Sequence, residues 1–168
     1  LVARRAQAMQ RVPKRDGVMV AVRGMSETHI RDLIKTSSSS CSIAAVNGPR
    51  DVVLSGTRKS VSEILSRLDE KDGVKSRTLN VSHAFHSPLM KPAFDEMHGF
   101  LSEISFQDPK IPLVTTLTGT LATGVHMKSA SHWAHHMLQP VRFHDAVQTL
   151  RRMKCDTFVE IGSGSTLL

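Results

Sequence analysis

The chain has 168 residues, 40% of them hydrophobic and 4% aromatic, and its 22 basic and 15 acidic side chains give a formal charge of +7. That size supports a buried core in one domain, or in a domain carrying a small inserted one. No apolar run approaches a bilayer span, and "LVARRAQAMQRVPKR" places arginines where a signal peptide needs apolar residues, so a cytoplasmic protein without a membrane segment is expected. Cys41 and Cys155 have neither metal nor redox spacing and read as reduced structural thiols. The basic residues are scattered, tyrosine is absent, and no aromatic residues alternate with the cations as a stacking platform would. The charge therefore favours an acidic partner over nucleic acid.

In chain order, Val2, Ala6 and Met9 share one helical face, and no capping residue precedes Leu1, so the fold is expected to begin upstream. "VMVAV" predicts a strand. "SETHIRDLIK" predicts a helix capped by Ser26, with Ile30, Leu33 and Ile34 on its inner face. "CSIAAV" and "DVVLS" predict two strands joined by an Asn-Gly turn in "NGPR", with the serine run 37–40 as the loop before them. "SVSEILSRLDEKDG" predicts a helix ending near Gly73, and "KSRTLNV" a last strand. The order β-α-β-β-α-β is the ferredoxin-like pattern. It divides the chain into a helix of a larger subdomain over 1–16, a small subdomain over 17–81, and a return to the larger one over 82–168.

Beyond it, an amphipathic helix is predicted from Ser87 to Ile104, a strand in "IPLVTTLTG", helices in "SASHWAHHML" and "HDAVQTLRRM", and a buried strand in "DTFVEIG". Alternating strands and helices suit a parallel sheet covered by helices.

The chemistry-bearing stretch is "VSHAFHSPLM". Ser87-Pro88 reads as a helix start, which sets His86 at the positive end of a helix dipole. There the imidazolium is disfavoured and the ring stays neutral, the state a general base needs. From these residues alone, two ordinary polar loop histidines are the simpler reading.

Several stretches, taken in order, resemble one family: the malonyl-CoA:acyl carrier protein transacylases and the acyltransferase domains of polyketide and fatty acid synthases. They are "LVARRAQAMQ", "AAVNGPRDVVLSG", "SHAFHSPLM", "HWAHHMLQPVRFHDAVQTL" and "FVEIGSGSTLL". The resemblance implies a partial α/β-hydrolase-like subdomain with an inserted ferredoxin-like subdomain. It implies that His86 is the catalytic histidine, that the backbone carbonyl of His136 holds its ring, and that Arg5 pairs with the free carboxylate of a malonyl unit. A guanidinium suits that task because it can make two parallel bonds to a carboxylate. Asn47 falls at the active-site edge, though its turn role is the simpler reading. "HAFH" resembles the malonyl-selecting form of the motif, with Phe85 filling the space of a substrate methyl and His83 shaping the same wall.

The implied reaction moves a malonyl group from coenzyme A, through an acyl-serine, to the phosphopantetheine thiol of an acyl carrier protein during polyketide biosynthesis. It needs no bound cofactor or metal, and neighbouring synthase domains are the other implied partners. Two features depart from the family. No GxSxG nucleophile elbow occurs in this sequence, so the serine is expected upstream and the chain alone is expected to be inactive. Ser163 also stands where a proline is usual after the glycine of "EIGSGS". The alternative is a non-catalytic ferredoxin-like binding or interaction module, which for RNA would need stacking aromatics that "SIAAV" and "DVVLS" lack. A metal site built on "HWAHH" is a third, weaker reading without a ligand motif.

Overall fold

The computed structural model describes residues 1–14, 16–37, 40–68 and 73–161. Ser163 and part of the serine-rich loop lie outside them. Helix α1 (Val2–Arg11) is followed by β1 (Gly17–Arg23), α2 (Glu27–Lys35), β2 (Ser42–Gly48), β3 (Asp51–Thr57), α3 (Arg58–Leu65) and β4 (Lys75–Thr78). The strands form one antiparallel sheet in the order β2-β3-β1-β4. Helices α2 and α3 start at side-chain caps: Ser26 accepts from the His29 amide and Thr57 from the Ser60 amide, each relieving an unpaired donor of the first turn.

Strand periodicity gives the sheet two apolar faces. Val18, Val20, Val22, Val52 and Leu54 pack under Ile30, Val61 and Ile64 of the two helices. Met19, Ala44 and Val53 face the other way, and Phe85 packs against them. The hairpin turn differs from expectation. Gly48 pairs with Asp51, so β2 runs through Asn47 and the turn is Pro49-Arg50. Proline's fixed φ suits the second position of such a turn. Helix α3 stops at Leu65, short of Gly73, although Leu68 is still buried; residues 69–72 lie outside the described set. β4 is shorter than expected and lies at the sheet edge, where its exposed Lys75 and Arg77 discourage further strand pairing.

The remainder is mainly helical: α4 (Lys91–Ser102), α5 (Gly124–Met127), α6 (Ala130–His135) and α7 (Phe143–Arg152), with a two-stranded ribbon of β5 (Val114–Thr115) and β6 (Thr120–Leu121). The predicted helix at Ser87 opens as a 3-10 turn over Pro88–Met90 before α4 begins. Pro92 explains the break, because it has no N–H to give the carbonyl four residues back. Met9, Met97, Leu101 and Met137 close a second core among α1, α4 and the end of α6.

Three expectations in this half are corrected. The "IPLVTTLTG" strand shrinks to Val114–Thr115. The described part of "DTFVEIG" does not form a strand, and Val159 and Ile161 are 78% and 96% exposed rather than buried. Apolar β-formers alone cannot hold a strand, which needs a neighbour for its backbone groups. The parallel sheet expected of this half is likewise absent among the described residues, whose one parallel pairing is an isolated bridge from Ala45 to Val141. The fold as a whole is mixed α/β.

Candidate active site

His86 is set by backbone geometry before its side chain does anything. Its φ is 56°, a left-handed conformation uncommon outside glycine but one in which histidine is enriched, and its amide donates to the Met137 carbonyl at 3.1 Å. Next to it Ser87 is fully buried, donates to the Ala84 carbonyl at 2.6 Å and accepts from the Leu89 amide. The segment is pinned on both sides of the histidine.

The His86 ring is fixed by a carbonyl. Nδ1 donates to the main-chain oxygen of Gln139 at 3.0 Å, which assigns the proton to Nδ1 and leaves Nε2 as the basic nitrogen. This corrects the expected partner: the 3.0 Å bond runs to Gln139, three residues beyond His136. The His136 carbonyl acts on the same ring as a lesser partner. The sequence reading named only the His136 carbonyl, and the path of the chain after α6 brings the Gln139 oxygen to the ring as well.

Burial lowers the His86 pKa below the usual histidine value, opposed by the Gln139 carbonyl, and the charge of Arg5 lowers it further. The shift runs in the direction expected for His86. Burial is its leading cause, with Arg5 second in the same direction; the helix end expected to cause it begins only as a 3-10 turn. Arg5 projects from α1, is half-buried, and burial lowers its own pKa. It lies near enough to act on both His86 and His136, so the structure brings together three residues that are far apart in sequence.

The His136 side chain has more to do than the sequence reading gave it. Burial, then the charges of His132 and Arg5, push its pKa down to about 4. Its Nε2 and that of His132 lie 3.4 and 3.5 Å from the hydroxyl of buried Thr115, which also accepts from the Leu117 amide. One hydroxyl has one proton, so at most one of these rings can accept from it. No sequence signal marked Thr115. Rings of His126, His132 and His136 approach one another, but no group of histidine, cysteine or acidic residues suited to a metal occurs among the described residues.

His83 is buried at 3% exposure and ties the motif to α1. Its Nε2 donates to the Val12 carbonyl at 2.9 Å and its Nδ1 accepts from the Ser82 hydroxyl at 2.8 Å. Its ring lies 5.7 Å from that of Phe85, which is half-buried between the sheet face and the helical core. Asn47 sits elsewhere. It lines a cavity of about 430 Å³ with Phe143, His144, Val147 and Phe158, and none of Arg5, His86 or His136 reaches that cavity.

Comparison with known proteins converges on one family. The acyl transferase domain family matches residues 1–168. The chain is 39% identical over 167 residues to the spectinabilin polyketide synthase system protein NorB of Streptomyces orinoci, covering 99% of this chain and 8% of that protein. It is 41% identical to the crystal structure of the acyltransferase domain from the second module of the salinomycin polyketide synthase, with a TM-score of 0.81 over 90% of this chain and 34% of that one. Against malonyl CoA-acyl carrier protein transacylase from Burkholderia pseudomallei the identity is 28% and the TM-score 0.83, over 99% of this chain and 58% of that one. The chain thus spans only part of the proteins it matches.

Proposed function

The chain belongs to the acyl transferase domain family, and on that premise we propose that it supplies the general base and the carboxylate-binding residue of a polyketide synthase acyltransferase that takes malonyl groups from coenzyme A. The observation that carries this reading is the His86 ring, held at Nδ1 by the Gln139 carbonyl, with burial beside the Arg5 cation lowering its pKa. A neutral imidazole with a fixed tautomer is what a weak hydroxyl nucleophile requires.

The reaction proceeds in two balanced halves. Nε2 of His86 takes the proton of a serine supplied by sequence outside this chain, as the serine oxygen attacks the thioester carbon. The carbon–sulfur bond breaks and the proton passes to the departing coenzyme A sulfur. In the second half Nε2 takes the proton of the carrier protein's phosphopantetheine thiol, the sulfur attacks the acyl-serine ester, and the proton returns to the serine oxygen. Arg5 holds the extender's free carboxylate throughout. Phe85 limits the space beside the extender's α-carbon, favouring malonyl. His83 serves this by fixing the segment that carries Phe85; Asn47 lines a separate cavity and is given no part in the reaction.

The sheet order β2-β3-β1-β4 with both helices on one face supports a ferredoxin-like subdomain over 17–81. We assign 1–16 and 82–168 to an α/β-hydrolase-like subdomain shared with sequence outside this chain. An acidic acyl carrier protein and neighbouring synthase domains are the proposed partners, in the cytoplasm, and the +7 charge suits the first of them. Without a GxSxG elbow, the 168-residue chain is expected not to turn over by itself.

The test is transfer of labelled malonyl from coenzyme A to the complete domain and then to carrier protein. His86→Ala should abolish self-acylation, a loss of several orders of magnitude. Gln139→Ala should stay within about twofold, because the contact is its main-chain oxygen. Self-acylation by His86→Ala at the native rate would overturn the assignment.

A further inference from the structure

The seven residues from His136 to Arg142 form a strap that touches the two halves of the molecule at once. At one end, the Met137 and Gln139 carbonyls receive the amide and Nδ1 of His86. Pro140 follows, and the residue before a proline is biased to extended backbone, which carries the chain straight toward the sheet. Val141 then donates to the Ala44 carbonyl at 2.8 Å and accepts from the Val46 amide at 2.9 Å, making the parallel bridge on the free edge of β2. The Arg142 amide donates to the Thr116 carbonyl at 2.7 Å.

Arg142 locks this end. Its two terminal nitrogens lie 3.1 and 3.2 Å from the two carboxylate oxygens of Glu27, in the first turn of α2, while Nε holds Asp145 at 2.5 Å. The fork spans 115 residues of sequence and is half-buried. Glu27 also receives Arg31, and its pKa is lowered although burial works the other way. A two-pronged guanidinium–carboxylate contact fixes angle as well as distance, which a single ammonium cannot do.

We propose that the Glu27–Arg142 fork is a positioning element for the base: by anchoring the strap to α2, it sets where the Gln139 carbonyl stands and therefore the tautomer and direction of the His86 imidazole. This rests on the reading of His86 as the general base. The fork touches no substrate and acts through the strap alone. A displacement of about an ångström at a catalytic group can cost on the order of a hundredfold in rate.

The experiment compares Arg142→Gln, Arg142→Lys and Glu27→Gln with Ser26→Ala, which removes the α2 cap without touching the fork. Nitrogen-15 spectra of the His86 ring in the complete domain read the tautomer directly, and acylation kinetics read kcat and KM separately. Arg142→Gln and Glu27→Gln should each replace the single Nδ1–H form by a mixture and lower kcat about tenfold to a hundredfold with KM for malonyl-CoA little changed. Arg142→Lys should recover only part of this, and Ser26→Ala should lower Tm while leaving tautomer and kcat native. An unchanged His86 spectrum in Arg142→Gln overturns the proposal, as does an equal disturbance in Ser26→Ala. Should the native domain transfer no malonyl group, the reading of function falls while the spectra still decide whether the fork positions the ring.

Discussion

Replacing His83 separates a structural histidine from a specificity histidine inside one motif. His83→Phe keeps a ring of similar bulk but removes the donor to Val12, leaving a carbonyl on a 6%-exposed residue without its 2.9 Å partner. A buried acceptor left unpaired costs about 1–3 kcal/mol. His83→Ala adds the loss of a buried ring packed beside Phe85, for a total of about 3–4 kcal/mol. The complete domain is longer than this chain, which spans 58% of one matched transacylase, so at about 1.5–2 °C per kcal/mol the alanine variant should melt roughly 5–8 °C below the native protein. His83→Gln can still reach the carbonyl through its amide nitrogen and should recover about half of that loss. The assay is thermal unfolding of the complete domain, paired with the methylmalonyl to malonyl ratio of kcat/KM measured well below Tm. His83→Phe as stable as the native protein, or His83→Gln no better than His83→Phe, refutes the tether. A changed extender ratio at native stability would restore His83 to the wall of the acyl pocket.

Phe85→Ser should raise the methylmalonyl to malonyl ratio of kcat/KM by up to about a hundredfold, the range one methyl's burial allows; an unchanged ratio makes Phe85 core packing only. Arg5→Ala should weaken both carboxylated extenders alike and, by removing a charge that lowers the His86 pKa, move the acid limb of the pH–rate profile upward toward the ordinary histidine value near 6.5. A limb that stays in place shows that the Arg5 charge does not reach the base. His136 favours folding in its neutral form: its pKa falls from 6.5 unfolded to about 4 folded, so its contribution is full above 6.5 and is lost as pH falls from 6.5 toward 4. His136→Asn should flatten the decline of Tm across that window, and an identical slope in the variant removes His136 as its source.

Much of the small α/β unit was legible because its signals are local. Ser26 caps α2, Ile30 and Ile64 recur at helical spacing, and the valines of β1 and β3 alternate between two buried faces. The motif around His86 was legible for the same reason, since a capping serine and a proline act on residues beside them. The turn at Pro49-Arg50 escaped because Asn-Gly is a stronger turn pair in isolation than Pro-Arg, whereas strand register with β3 carries β2 two residues further. The strand expected at the chain's end failed because its apolar residues describe a demand for burial that a neighbour must meet.

What the sequence by itself determined is which residues are proposed for the chemistry: an imidazole at position 86, a guanidinium at 5, and a phenylalanine between two histidines. Tertiary structure alone decided how they act. The 3.0 Å bond of the His86 ring runs to the Gln139 carbonyl, burial leads the lowering of its pKa, and His83 bonds the Val12 carbonyl at the end of α1. The reason is physical: a main-chain oxygen is the same in every residue, so no side-chain pattern announces which one will face a given ring. Desolvation and the field of Arg5 likewise depend on distances set by the whole packed chain, and the 115 residues between Glu27 and Arg142 disappear only on folding.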